Sequence, residues 1–446
     1  MTSPAPTAGG PPSLNRRLGV FHATMAVIGG IVGAGIFLNP SVVARQMSAP
    51  AWILAAWGLG GVVALVGAWI YAELGAERPA AGGQYVFFRE AFHPSVAFLY
   101  GWGLLWVIQS GGMAAVAVTF AMYARTLTGS SVDSRVIAVT ALLSLSFINC
   151  FGVRAGATTQ STLTVLKAMA IAGLIAMGLF GNSTEAVTPA SAISGAEVPG
   201  GNLTLLLGAM VPVLFAYGGW QTAGFLAGEI REPERNLPRA MILGIAAVIG
   251  LYLATNLACL RILGSAGLAA TQTPASEVMQ RTLGNMGSRL IGVGIVVSTL
   301  GFLSQGMLTA PRVYFAMARD GLFFSALGKV HAETHVPVAA ILLQGIVASI
   351  IACTGKYETI LNYVVSVDFI FYGLAGVAVF VFRRRPESRP VFRIPWHPWT
   401  TLGFTTACWV VVISLVSRQS LDSLIGLGIL AAGLPAYLFW HRRTTR

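Results

Sequence analysis

The sequence predicts an all-α polytopic membrane protein with twelve transmembrane helices. Three observations carry this reading. Of 446 residues, 55% are apolar and only 10% are charged, whereas a soluble domain carries about 25% charged residues. The mean hydropathy is +0.73. The few charges are also confined to short clusters between long uncharged runs. Length alone would allow two or three soluble domains, but there is too little charge to cover their water-facing surfaces.

Reading from one charge cluster to the next gives runs over 18–44, 46–72, 91–124, 136–153, 168–184, 198–228, 240–260, 290–311, 334–355, 359–382, 394–417 and 423–441. A helix needs roughly 20 apolar residues to cross the hydrocarbon core, so twelve spans fit and no thirteenth stretch is left over. Two of the helices implied hold a charge: Lys167 at the front of the fifth and Asp368 inside the tenth. Residues 1–15 are rich in Pro, Gly and Ser with no apolar run, which predicts a disordered cytoplasmic tail rather than a signal peptide.

Orientation follows from Lys and Arg. The N-terminal tail, the loops after spans 2, 4, 6, 8 and 10 and the C-terminus hold more than twice as many as the opposite side, which predicts both termini inside. The same asymmetry accounts for a net charge of +12, since the basic residues flank spans where they meet anionic lipid. Nucleic acid is not an expected partner. Cys150, Cys259, Cys353 and Cys408 all fall within spans at no metal-ligand spacing, so buried thiols acting as small apolar groups are expected, with no metal and no cofactor.

Two glycine clusters stand out. Span 1 reads Ile28-Gly-Gly-Ile-Val-Gly-Ala-Gly-Ile-Phe37, and span 6 reads Phe215-Ala-Tyr-Gly-Gly-Trp220 after Pro212. Gly29 and Gly33 alone would also suit close helix packing. Spans 1 and 6, however, are equivalent positions in a five-plus-five inverted repeat, and matched glycine breaks in two halves point to a transporter's substrate site. An unwound helix loses the internal partners of its backbone groups. The half-helix beginning near Gly35 would present N–H groups and a positive dipole end to a carboxylate. The half-helix ending near Phe215 would present carbonyls to an ammonium group, so the pair suits both ends of an α-amino acid.

These residues resemble the amino acid–polyamine–organocation transporters, and within them the L-type amino acid transporter branch. Four ordered motifs carry the resemblance: Gly33-Ala-Gly-Ile-Phe37; Glu73-Leu-Gly with Gly82-Gly83-Gln-Tyr85; Phe215-Ala-Tyr-Gly-Gly-Trp220 followed by Glu229-Ile-Arg-Glu-Pro-Glu-Arg-Asn-Leu-Pro238; and Pro311-Arg-Val-Tyr-Phe-Ala-Met-Ala-Arg-Asp-Gly321. The resemblance implies the LeuT-type fold. Inverted repeats would cover 16–182 and 203–385, helices 11 and 12 would cover 394–441, and helices 1 and 6 would be discontinuous. It also implies sodium-independent amino acid transport by alternating access, most simply exchange of small or medium neutral L-amino acids. A proton-coupled symporter and a cationic amino acid or polyamine antiporter are the alternatives.

The resemblance further implies site residues. The substrate carboxylate would meet backbone at Ile31, Ala34 and Gly35, and the amino group would meet carbonyls of Ile31, Phe215 and Gly218. Phe215 would also gate the site. Many relatives carry Ser where this chain has Ala34, so a hydroxyl contact is missing here. Ile108, Gly112, Phe302, Gly306 and Phe369 would form the side-chain pocket, with Phe302 tightening it. Trp220 is expected to pack the second half-helix rather than to touch substrate.

Lys167 is the most informative single residue, because an ionisable group within a span is functional by default. Either it snorkels to the inner face, or it resembles the family's fifth-helix lysine, which stands beside the unwound first helix and governs the return step. Asp368 reads as a proton or substrate-amine site, or as a hydrogen-bonded structural group at the pocket rim. Arg312 and Glu229 read as an inner-gate ion pair or as solvated charges. No Ser–His–Asp, HExxH or paired-acid arrangement suggests an enzyme, and no repeated ring of carbonyls or charges suggests a channel. Eukaryotic L-type transporters hold a glycoprotein partner through a cysteine after span 3. The loop 125–135 has none, so a stand-alone prokaryotic protein without a heavy chain is expected, compatible with a monomer, its partners being amino acid substrates and membrane lipid.

Overall fold

The computed structural model describes residues 16, 18–80, 82–181, 202–354, 357–388, 390–418 and 420–444; the expected tail 1–15 lies outside them. The described chain is helical throughout, apart from a single parallel bridge between Leu18 and Ile230. In order, the helices are α1 (Val20–Ile31), α2 (Gly35–Gln46), α3 (Pro50–Glu77), α4 (Gln84–Ala91), α5 (Pro94–Gly103), α6 (Gln109–Thr128), α7 (Ser134–Asn149), α8 (Val153–Phe180) and α9 (Asn202–Tyr217). There follow α10 (Thr222–Phe225), α11 (Pro233–Ala270), α12 (Pro274–Thr309), α13 (Pro311–Arg319), α14 (Val338–Thr354), α15 (Tyr357–Arg383), α16 (Trp399–Arg418), α17 (Ser420–Ala431) and α18 (Gly433–Thr444).

Local chemistry sets many of these limits. Pro50, Pro94, Pro233, Pro274 and Pro311 stand at helix starts, where the missing N–H costs nothing and φ is already helical. Asp133 caps α7 by accepting from the Arg135 N–H at 2.7 Å. A π-turn over Leu104–Ile108 joins α5 to α6; it shifts the helical register just before Ile108 and Gln109, which face the central cavity.

Among the described residues ten helical stretches are long and apolar enough to cross a membrane, which makes this a multi-pass membrane protein. The expected spans over 136–153 and 334–355 are apolar helices of 16 and 17 residues, α7 and α14. At 1.5 Å per residue each is about 25 Å long, slightly short of the hydrocarbon core. Three further expectations are corrected. The fifth span begins at Val153, so Lys167 sits mid-helix rather than at its front. The stretch between spans 7 and 8 is helical as well. There α11 and α12 continue through single reversals at Gly264 (φ 65°) and Gly284 (φ 64°), so helix occupies much of a region assigned to loop. Of the four cysteines, Cys259 and Cys408 are buried, but Cys150 is half-buried and Cys353 exposed on an outer helix face.

Small residues bring the central helices together. A Cβ on Gly60 would lie 2.3 Å from Val213, one on Gly67 would lie 2.7 Å from the Trp220 ring, and one on Gly244 would lie 2.6 Å from Val27. Helix α3 therefore packs tightly on α9, and α11 on α1, the close approach that small residues permit. Other main contacts pair α3 with α11, α6 with α12, α7 with α14 and α8 with α12.

Candidate substrate site between two broken helices

The first break separates α1 from α2 at Val32-Gly33-Ala34. The second follows α9, which ends at Tyr217, one half-turn later than Phe215, and turns through Gly218–Gln221 into α10. The two breaks touch. Gly219 has φ +113° and its backbone passes so near Gly30 that a Cβ would lie 2.2 Å from the Gly30 carbonyl oxygen, so only glycine fits there. Gly35 meets Ala216 with equal intimacy, a Cβ there lying 2.9 Å from the Ala216 Cα. The Tyr252 hydroxyl, from α11, stands 3.2 Å from the Ile31 oxygen and 3.1 Å from the Ala216 oxygen. Its single proton is shared between the two broken helices.

The ends carry opposite partial charges. The first N–H groups of α2 have no intrahelical partners, and the last carbonyls of α1 and α9 are in the converse position. Lys167 answers α1: its Nζ donates to the Gly29 oxygen at 3.0 Å and to the Val32 oxygen at 2.6 Å. The side chain is fully buried, so it does not snorkel. Hydrogen bonds from a charged donor contribute about 1.5–3 kcal/mol, and they fasten α8 to the free end of α1.

A partly open cavity lies between the breaks. Ile31, Ala34, Gly35, Ile108, Gly112, Phe215, Gly218, Phe302, Asp368 and Phe369 all line it, so ten positions singled out from the sequence come together. Two do not reach it. Lys167 stands behind α1, and Gly306 faces α6, where a Cβ would meet Gln109 and Met113. Phe302 lies over Gly33, its ring 3.0 Å from where a Cβ would be. Trp220 is absent from the wall; it is buried and stacks on Tyr372 with ring centroids 4.9 Å apart.

Sequence reasoning missed the polar part of the wall: Gln109, Gln221, Thr222 and Gln305. Gln305 donates from Nε2 to the Thr222 hydroxyl at 2.7 Å, which in turn donates to the Gly219 oxygen at 2.7 Å. This pins α10 to α12 and leaves the Gln305 Oε1 a buried acceptor without a partner among the described residues. The signal was available, because a glutamine inside an apolar run carries the same message as a charge there.

Below the cavity one end of the bundle is latched. Arg312 and Glu229 form a fully buried ion pair, Nε to Oε1 at 2.9 Å, which settles that they are paired rather than solvated. Glu73 takes Arg383 through both oxygens at 2.7 Å and the Ile394 N–H at 2.6 Å. Asp320 accepts from Arg89 and, at 2.8 Å, from the Tyr85 hydroxyl. Burial, with the Asp320 carboxylate beside it, pushes the Tyr85 phenol far above its usual range, so it remains a donor. Leu18 closes the same end through backbone bonds to Glu229 and Arg231.

A matched pair of helix breaks around one cavity is the geometry of a carrier for a small zwitterion, and comparison with known proteins agrees. The amino acid permease family model matches residues 18–430. The chain is 32% identical to the serine/threonine exchanger SteT of Bacillus subtilis (strain 168), over 96% of this chain and 98% of the relative. It is 29% identical to the human large neutral amino acids transporter small subunit 2, over 98% of this chain and 83% of the relative. It is also 29% identical to the human b(0,+)-type amino acid transporter 1, over 96% and 89%. The chain belongs to the amino acid permease family, within the amino acid–polyamine–organocation superfamily, and is a membrane transporter rather than an enzyme.

Proposed function

We propose that this protein is a sodium-independent exchanger of small or medium neutral L-amino acids, working by alternating access. The observation that carries the reading is the pairing of two helix breaks across one cavity, with an N-terminal helix end on one side and C-terminal carbonyls on the other. The substrate carboxylate sits at the backbone of Ile31, Ala34 and Gly35, and its ammonium group at the carbonyls of Ile31, Phe215 and Gly218. Phe215 closes over it. Ile108, Gly112, Phe302 and Phe369 bound the side chain, and Gly306 acts one layer back by letting α12 approach α6. Lys167 holds α1 to α8 and sets the return step.

The architecture proposed with it is twelve spans as two inverted repeats, 16–182 and 203–385, followed by 394–441. The packing of α3 on α11, α6 on α12 and α7 on α14 supports it, since these are equivalent spans of the two halves. Both termini are cytoplasmic in a bacterial inner membrane, and the protein works without a heavy chain. The relative named as a serine/threonine exchanger supports a small substrate, as does the Phe302 ring over Gly33.

The test is counterflow in proteoliposomes with radiolabelled alanine, serine and threonine. Exchange requires that uptake depend on internal amino acid and ignore sodium. Equal uptake into empty and preloaded vesicles would refute it.

A further inference from the structure

Asp368 is the one acidic residue in the cavity wall among the described residues, and no Lys or Arg lines that wall. It is 8% exposed, and its Oδ1 accepts no hydrogen bond within the described chain. Among the described residues two cations are fully buried in the interior, Lys167 and Arg312, and both are already engaged, Lys167 with the α1 carbonyls and Arg312 with Glu229. The same cavity is lined by Phe215 and Gly218 at the end of α9, whose carbonyls form a negative helix end. A carboxylate here therefore faces like partial charge.

The ionisable groups around it are all weak acids. Tyr372 follows one turn later on α15, on the same helix face, its hydroxyl 3.9 Å from where a Gly218 Cβ would stand. Tyr71 of α3 packs against the Tyr372 ring at 6.1 Å. Tyr100 of α5 and Cys408 of α16 are buried on the remaining sides. Helices α6 and α9, which also pack on α15, contribute Gln109 and backbone to the same wall. None of these can neutralise a carboxylate; the hydroxyls can only donate to it. While the cavity is open, the ionised form rests on the 8% exposure that Asp368 keeps and on these donors. When it closes over a zwitterion, whose net charge is zero and whose ammonium group is taken by the carbonyls of Ile31, Phe215 and Gly218, desolvation falls on a carboxylate with no protein cation in the cavity wall, and burying such a charge costs far more than neutralising it.

We propose that Asp368 takes up one proton as the cavity closes over substrate, so that the loaded, closed carrier holds a neutral carboxylic acid at this position. The proton comes from the side to which the cavity is open and leaves to the side on which it reopens. This rests on the exchange reading above and adds a proton to each loaded crossing. Substrate capture is then favoured by acid on the loading side.

The experiment measures the apparent KM for alanine in counterflow at loading-side pH values from 5.5 to 8, with internal pH held constant. In the unmodified protein KM rises with pH, by up to about tenfold per unit once the carboxyl is ionised, as expected for one linked proton. An Asp368→Asn variant gives a flat profile whatever its absolute rate. A Tyr372→Phe variant, which loses a donor to the ionised form, shifts the rise to higher pH. An Asn variant that keeps the wild-type slope overturns the proposal, as does a Tyr372→Phe profile superimposed on the wild type if the Asn variant fails to fold. A flat wild-type profile overturns it too, and lysine competing better than alanine only when Asp368 is present would then assign the carboxylate to a cationic substrate side chain. Absence of exchange at every pH would overturn the parent reading and the inference with it.

Discussion

The Lys167 ammonium lies 2.6 Å from the carbonyl oxygen of Val32, the residue at which the first helix stops. A mid-helix cation of α8 thus serves as the cap that α1 lacks. It offsets the negative end of that half-helix in a region no water reaches. The equivalent end of α9 has no such cation in the cavity wall, and that asymmetry leaves it available to a substrate's ammonium group.

Replacing Lys167 with Met keeps most of the buried volume and removes both charged hydrogen bonds. With each contributing about 1.5–3 kcal/mol, exchange should fall at least about tenfold while the protein still purifies as a monodisperse species. Flux at the wild-type level in the Met variant would mean that the lysine only fills space.

Gly112 and Gly219 should respond in opposite ways to the same added methyl. A Cβ on Gly112 meets nothing within 4 Å and projects at the cavity wall. Gly112→Ala should melt like the wild type and discriminate more strongly against branched substrates in a competition panel. Gly219→Ala, at φ +113° and 2.2 Å from the Gly30 oxygen, should lower the melting temperature and abolish exchange. Equal behaviour of the two variants would contradict the assigned backbone geometry.

Phe302 limits the cavity from the other side. Phe302→Ala removes the ring that stands over Gly33 and should raise the uptake of leucine and phenylalanine relative to alanine, at some loss of affinity for alanine. Counterflow with a panel of labelled amino acids reads this directly; an unchanged size ranking would move the selectivity elsewhere.

The Arg312–Glu229 pair is fully buried. Removing one partner strands the other charge and typically costs about 3–5 kcal/mol, whereas replacing both with apolar groups is often nearly neutral. Thermal unfolding in detergent should therefore show Glu229→Leu and Arg312→Leu each strongly destabilised, and the double variant recovering most of the loss. Additive losses would show that the two residues do not act as a pair.

Much of this site is legible in the sequence. Gly33, Gly35, Gly218 and Gly219 announced the breaks because backbone cannot unwind inside a membrane without small residues and new partners. Lys167 announced itself because a lone cation there must be paired. What stayed hidden was of two kinds. Gln109, Gln221 and Gln305 were passed over because the runs were bounded by charge, and an amide does not interrupt such a run. The helical stretches beside Gly264 and Gly284 were hidden because a single positive-φ glycine turns a helix without any change in composition. Gly306 is a pocket residue by the family resemblance, but its packing against Met113 and Gln109 shows that α6 already occupies that face of α12.

Tyr252 has one proton and two carbonyls within reach, Ile31 on one broken helix and Ala216 on the other. It can satisfy both only while they stay side by side. Any motion that draws α1 away from α9 must break one of these two contacts and release that oxygen to whatever enters the gap. The residue thus registers whether the two broken helices are side by side, and because α11 packs on α1 far more extensively than on α9, the contact to Ala216 is the one such a motion breaks.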